Sequence, residues 1–188
     1  TIPRIGPLAR LQAVREVSIA TTYMTASLFL IMGIYHIFLF LFRRDERSPL
    51  YFALICLLLS LRVLCTDRLY LTILFPAAPM GIIWAGSYLT FALLVPAFTI
   101  FVTNLFRYPA NPLIRAITTG VSGLYSLAII FLPVAVYSAF LLPFQIFCLM
   151  VGVTLSVLVV LSMLGRRAHA GLFSLGFFVV FATTVFDI

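Results

Sequence analysis

Apolar residues in this chain run on for whole stretches with only short polar breaks, and do not alternate with polar ones as in a half-buried strand. The clearest run is Ser27 to Phe42, closed by Arg43, Arg44 and Arg47. An apolar stretch of that length ending in a basic block predicts a membrane-spanning helix whose last turn meets the cytoplasm. Runs of the same kind predict spans at about 18–42, 50–66, 80–103, 113–132, 139–164 and 171–188. The links between them carry the stop signals: Arg43 to Pro49, the Pro76/Pro79 segment, Asn104 to Pro112, Pro133, and Gly165 to Ala170. Residues 1–17 differ. Leu8, Leu11 and Val14 recur at a spacing of three among Arg10, Arg15 and Glu16, which predicts a short interfacial helix leading into the first span. A second reading makes it a connector that passes movement from an upstream domain into the membrane. The expected fold class is therefore all-α, a polytopic transmembrane helical bundle over 18–188 with an interfacial or connector segment at 1–17.

Composition supports a lipid-facing exterior. The chain of 188 residues is 64% hydrophobic and 9% charged, against about 25% charged in a soluble domain. Its mean hydropathy is +1.22. The net charge of +7 comes from twelve arginines and no lysine against five acids. Arginines gathered at segment ends point to topology and lipid headgroups, not to nucleic acid. The links 43–49, 104–115 and 165–170 hold seven of them, whereas 67–79 and 133–138 hold only Arg68. Positive-inside placement then puts the first set in the cytoplasm and the N-terminus outside. Six spans would end the chain outside, so a seventh span beyond Ile188 is expected. Tyr23, Tyr51, Tyr70, Tyr108 and Tyr137 fall near span boundaries, where a phenol can bury its ring and wet its hydroxyl.

Candidate chemistry inside the spans is sparse. His36, with Tyr35 beside it, lies in the middle of the first span, where an imidazole needs a partner. The plainer reading is a neutral ring bonded to a hydroxyl or carbonyl on another helix; the sharper one is a proton- or ligand-sensitive switch. Arg62 reads as a side chain reaching to the headgroups, or as an inward ion pair with Asp67. Ser18, Thr22 and Ala26, and the pairs Gly81/Ala85 and Gly152/Ser156, have the small-residue spacing that lets helices approach closely. Pro96 predicts a kink inside the third span. Gln145 and Asn104 read as interhelical hydrogen-bond formers. Cys56, Cys65 and Cys148 lack metal spacing and read as small buried hydrophobes. No catalytic residue, metal site or cofactor is expected: paired carboxylates, H-E-x-x-H and Gly-rich phosphate loops are all missing from the sequence.

The run from Gly33 to Arg62, G-I-Y-H-I-F-L-F-L-F-R-R-D-E-R-S-P-L-Y-F-A-L-I-C-L-L-L-S-L-R, resembles the membrane region of bacterial seven-transmembrane receptors with diverse intracellular signalling modules. Gly33 and Tyr35, the link Arg43-Arg44-Asp45, and Leu50-Tyr51-Phe52 carry the resemblance, with Ile5 to Leu8 and the closing Phe186-Asp187-Ile188. The resemblance implies a periplasmic ligand-binding domain before the first span. It also implies a cytoplasmic output module after the seventh: a histidine kinase of a two-component system, a diguanylate or nucleotide cyclase, or a phosphatase. The expected partners are the lipid bilayer, those two domains and a second copy of the parent protein; the expected location is the bacterial inner membrane. A multi-pass transporter or channel subunit is the alternative, and would need polar residues converging at the midplane. A membrane-embedded enzyme would need aqueous-face Asp/His motifs.

Overall fold

In the computed structural model the chain is described over residues 7–66, 80–105 and 112–164. Six helices occupy these residues: α1 Pro7–Phe42, α2 Ser48–Thr66, α3 Met80–Leu105, α4 Pro112–Phe131, the short α5 Val134–Ala139, and α6 Leu141–Leu164. Five of them are long and apolar enough to cross a bilayer. Helix is the form hydrocarbon demands, because a backbone without water must bond to itself. The fold is an all-helical membrane bundle. The span expected at 171–188 lies outside the described residues.

Prolines start the helices. Pro7 and Pro112 open α1 and α4, Pro49 and Pro143 sit in the first turns of α2 and α6, and Pro133 caps α5. An amide is unpaired in a first turn anyway, so proline loses nothing there. Pro96 is different, since α3 continues past it from Met80 to Leu105. The ring removes the amide that would have bonded the Ala92 carbonyl, and one turn later the Thr99 hydroxyl donates to Val95 O at 2.9 Å.

The connector expected at 1–17 and the first span share one helix from Pro7 onwards. At 36 residues and about 1.5 Å per residue, α1 is about 54 Å long, against about 30 Å of hydrocarbon. Its surplus length projects from the end of the bundle opposite the Arg43–Arg47 turn. That turn is tight: Arg43 N–H bonds Leu39 O at 3.0 Å, and Glu46 N–H bonds Arg43 O at 3.2 Å. It folds α2 back against α1.

Neighbours in sequence are neighbours in space. α1 packs on α2, α2 on α3 and α3 on α4, while α6 returns to α3 and α5 touches α3, α4 and α6. Two apolar cores result. Ile55, Ala97, Phe101, Val102, Leu155 and Val159 fill the half nearer the arginine-rich turns. Ala92, Tyr125, Ile129, Tyr137 and Phe144 fill the other half. Outside, large apolar side chains such as Met24, Leu124 and Met150 are exposed, as lipid contact allows.

Candidate functional site: an arginine and tyrosine cluster

The half of the bundle that holds α5 contains an unusual set of polar groups. Arg62, in the last turns of α2, does not run along its own helix. Its Nη1 donates to the Ser87 carbonyl on α3 at 3.4 Å, and its guanidinium lies over the Phe91 ring, 4.8 Å from the centroid. A cation over a ring face is favoured by the ring's quadrupole, more so away from water.

Rings continue from there. Phe91 meets Phe144 of α6 edge to face at 5.6 Å, and Phe144 stacks on Tyr125 of α4 at 4.4 Å. The Tyr125 hydroxyl donates to the backbone carbonyl of Tyr137 in α5 at 3.3 Å. Tyr137 in turn meets Tyr88 of α3 edge to face at 5.3 Å, and Tyr88 stacks with Trp84 at 6.3 Å. Tyr137 is 2% exposed, yet its own hydroxyl has no hydrogen-bond partner. Burial, and Tyr88 beside it, push this phenol up, so it stays protonated and able to donate. The cluster therefore joins α2, α3, α4, α5 and α6 through rings, and holds one buried phenol donor at Tyr137.

The other residues singled out in the sequence fall elsewhere. His36 is half-buried on α1. Its Nδ1–H donates to Met32 O of the same helix at 2.8 Å, since a carbonyl can only accept. The plainer reading placed that partner on another helix; what crosses to α2 is a ring contact, with Phe52 at 4.5 Å. Tyr35 packs edge-on to His36 at 5.3 Å but is 55% exposed. Neither belongs to the arginine cluster. Asp67 lies outside the described residues.

Among the small residues, Ala26 is buried and its carbonyl accepts a 2.8 Å bond from Ser60 of α2. Thr22 is half-buried and Ser18 exposed. The close seam of α1 instead runs on to Gly33, where an added Cβ would meet Leu57 at 3.2 Å. Among the described residues nothing lies within 4 Å of a Cβ added at Gly81, whereas one added at Gly86 would lie 3.2 Å from the Cys65 sulfur. Ala85 packs against the second core. Ser156 donates to Gly152 O of its own helix at 2.8 Å.

Sequence reading gave half of a second polar junction: Asn104 was read as an interhelical hydrogen-bond former, and it accepts from the next helix. Arg115 of α4, read only as a topology charge, donates from Nε and Nη2 to the Thr103 hydroxyl at 2.9 and 2.7 Å, and from Nη2 to Asn104 Oδ1 at 3.1 Å. The Thr103 hydroxyl itself donates to Ile100 O at 3.1 Å. The missed signal was on α4. Its buried face is Thr118, Ser122, Tyr125, Ser126 and Ile129, while Ile117, Leu124 and Leu127 face outward. A helix with its hydroxyls inside is reversed relative to one in water. Tyr88 and Tyr125 were also legible, as phenols deep within apolar runs.

Among the described residues no three His, Cys, Asp or Glu side chains gather as a metal ion would require. The three cysteines are free thiols. The sequence profile of the family described as 7TM diverse intracellular signalling matches residues 19–188. Neither the curated proteins nor the solved structures contain a match to this chain.

Proposed function

The chain belongs to the 7TM diverse intracellular signalling family, and on that premise we propose that it is the transmembrane sensor region of a bacterial receptor. A signal received outside the inner membrane shifts the packing of the bundle and so alters a cytoplasmic output module. That module is a histidine kinase, a diguanylate or nucleotide cyclase, or a phosphatase. The parent protein works as a homodimer, with its ligand-binding domain in the periplasm ahead of α1. The bundle itself carries no catalysis.

The family match is the observation that carries this reading, and α1 supplies the route. One unbroken helix from Pro7 to Phe42 links the projecting end to the Arg43–Arg47 turn, so rotation or translation at one end is felt at the other. A proline-containing α3 and the small-residue seam of α1 with α2 are where two packings would differ least in energy.

Helix phase gives the test. One residue inserted between Gln12 and Val14 turns whatever precedes it by about 100°, whereas four residues nearly restore the phase. In cells carrying the full-length receptor and an output reporter, the single insertion should change basal output and the four-residue insertion should recover much of it. Output indifferent to both insertions would show that α1 is not the conduit. Reporter fusions at the Arg43–Arg47 turn should be active only as cytoplasmic reporters.

A further inference from the structure

We propose that Arg115, held at the junction of α3 and α4, binds the phosphate of an anionic phospholipid in the leaflet on the side of the Arg43–Arg47 turn. Its bonds within the protein all go to neutral acceptors: Nε and Nη2 donate to the Thr103 hydroxyl at 2.9 and 2.7 Å, and Nη2 donates to Asn104 Oδ1 at 3.1 Å. A guanidinium has five N–H donors, and those not committed here are on Nη1. That nitrogen has no partner among the described residues. Nor is it enclosed, since the only buried side-chain nitrogen or oxygen atoms left without a partner there are Ser122 Oγ and the Tyr137 hydroxyl. The bonds thus fix the guanidinium in place, leave Nη1 open and do nothing to balance the charge. Among the described residues no carboxylate pairs with Arg115, and the first turn of α4 holds no acid. A cation in that turn also adds to the positive end of the helix dipole. An oxyanion answers both the open donors and the unbalanced charge.

Depth selects a lipid as the carrier. Thr103 lies two residues before the end of α3, and Arg115 three residues after the start of α4, about 3–5 Å inside the helix ends. Leu105 and Leu113, near them in the chain, are exposed apolar side chains. A phosphate attached to acyl chains reaches this level with its tails already in hydrocarbon, whereas a free anion would have to leave water. Arg43, Arg44 and Arg47, at the same end of the bundle, are exposed and share their turn with Asp45 and Glu46, so their charge is partly balanced within it. A phosphate on Arg115 would couple the α3–α4 junction to the composition of that leaflet. This binding goes beyond the relay proposed above and is measured without any output domain.

The test titrates the full chain in a neutral detergent with phosphatidylglycerol or phosphatidylcholine and counts bound lipid by native mass spectrometry. The first phosphatidylglycerol should bind about tenfold more tightly than the first phosphatidylcholine, the gain expected for hydrogen bonding between charged groups. R115Q should abolish that preference, and R44Q should leave it. Because R115Q also removes a tie between α3 and α4, N104D is the second variant. It keeps the acceptor and the shape of Asn104 but adds a carboxylate that pairs with the guanidinium. Its thermal midpoint should hold or rise while the preference for phosphatidylglycerol is lost. A stable N104D protein that still prefers phosphatidylglycerol would overturn the proposal. So would equal losses in R44Q and R115Q, which would mean diffuse attraction to the basic end of the bundle. Inorganic phosphate at millimolar concentration should not displace the lipid; displacement would assign Arg115 to a soluble anion and overturn the assignment to lipid.

Discussion

The hydroxyl of Ser60 on α2 donates a 2.8 Å hydrogen bond to the backbone carbonyl of Ala26 on α1, 34 positions earlier in the chain. Most other serine and threonine hydroxyls of the bundle bond within their own helix: Thr25 to Thr21 O, Thr90 to Gly86 O, Thr154 to Met150 O. Such back-bonding satisfies a hydroxyl in lipid but joins nothing to anything else. Ser60 instead holds α1 to α2 by a polar bond, and it does so where Ala26 lets the backbones come close.

Ser60→Ala should cost about 0.6–2 kcal/mol, the span measured for interhelical hydrogen bonds in membranes. Equilibrium unfolding in mixed micelles reads it. A variant as stable as the parent would mean that the bond is matched by another once the protein relaxes.

Gly33 should tolerate alanine but not leucine. An added Cβ lies 3.2 Å from the Leu57 side chain and 3.4 Å from the Ala53 carbonyl oxygen. The flexible end of Leu57 can move a few tenths of an ångström, whereas the backbone of Ala53 cannot. Gly33→Ala should change stability by less than about 1 kcal/mol, and Gly33→Leu should cost about 1–3 kcal/mol as overpacking. Unfolding of the pair under one condition compares them. Equal effects would show that the seam is loose at this level.

Thr103 is the shared acceptor of the Arg115 fork, at 2.9 and 2.7 Å. Thr103→Val keeps the shape and removes the acceptor, and should cost about 1.5–3 kcal/mol because the donor is charged. Arg115→Lys keeps the charge but loses the fork, so it should destabilise in the same direction. The double variant should cost less than the sum of the two. Strict additivity in the cycle would mean that the two side chains stabilise the bundle independently.

Leucine at Ser18, Thr22 and Ala26 should perturb the receptor in a graded order. Ser18 is exposed, Thr22 half-buried and Ala26 buried at 4%. Ala26→Leu should shift reporter output most and Ser18→Leu least, with all three inserted in the membrane at parental levels. An output change from Ser18→Leu alone would place the sensitive contact off the α1–α2 seam.

What could be read along the chain was where the five long helices described here run, but not the short α5, which read as a turn, nor that the segment before residue 18 and the first span form one helix. Hydrocarbon leaves the backbone no partner but itself, so an apolar run of sufficient length becomes a helix whatever its neighbours are. Pro49, Pro112 and Pro133 marked where helices begin, and the arginine links marked where they turn. Which face of each helix points inward was a matter for the tertiary structure. In water an apolar face must turn in; in lipid the tails outside are as apolar as leucine, so hydropathy does not distinguish the two sides. Shape and hydrogen bonding decide instead. They select Gly86 for a close approach to α2, and they keep the His36 bond on its own helix. They also carry Arg62 across to Ser87 and Phe91. The Gly86 and Arg62 outcomes depend on partners distant in sequence, on another helix, which local sequence does not encode.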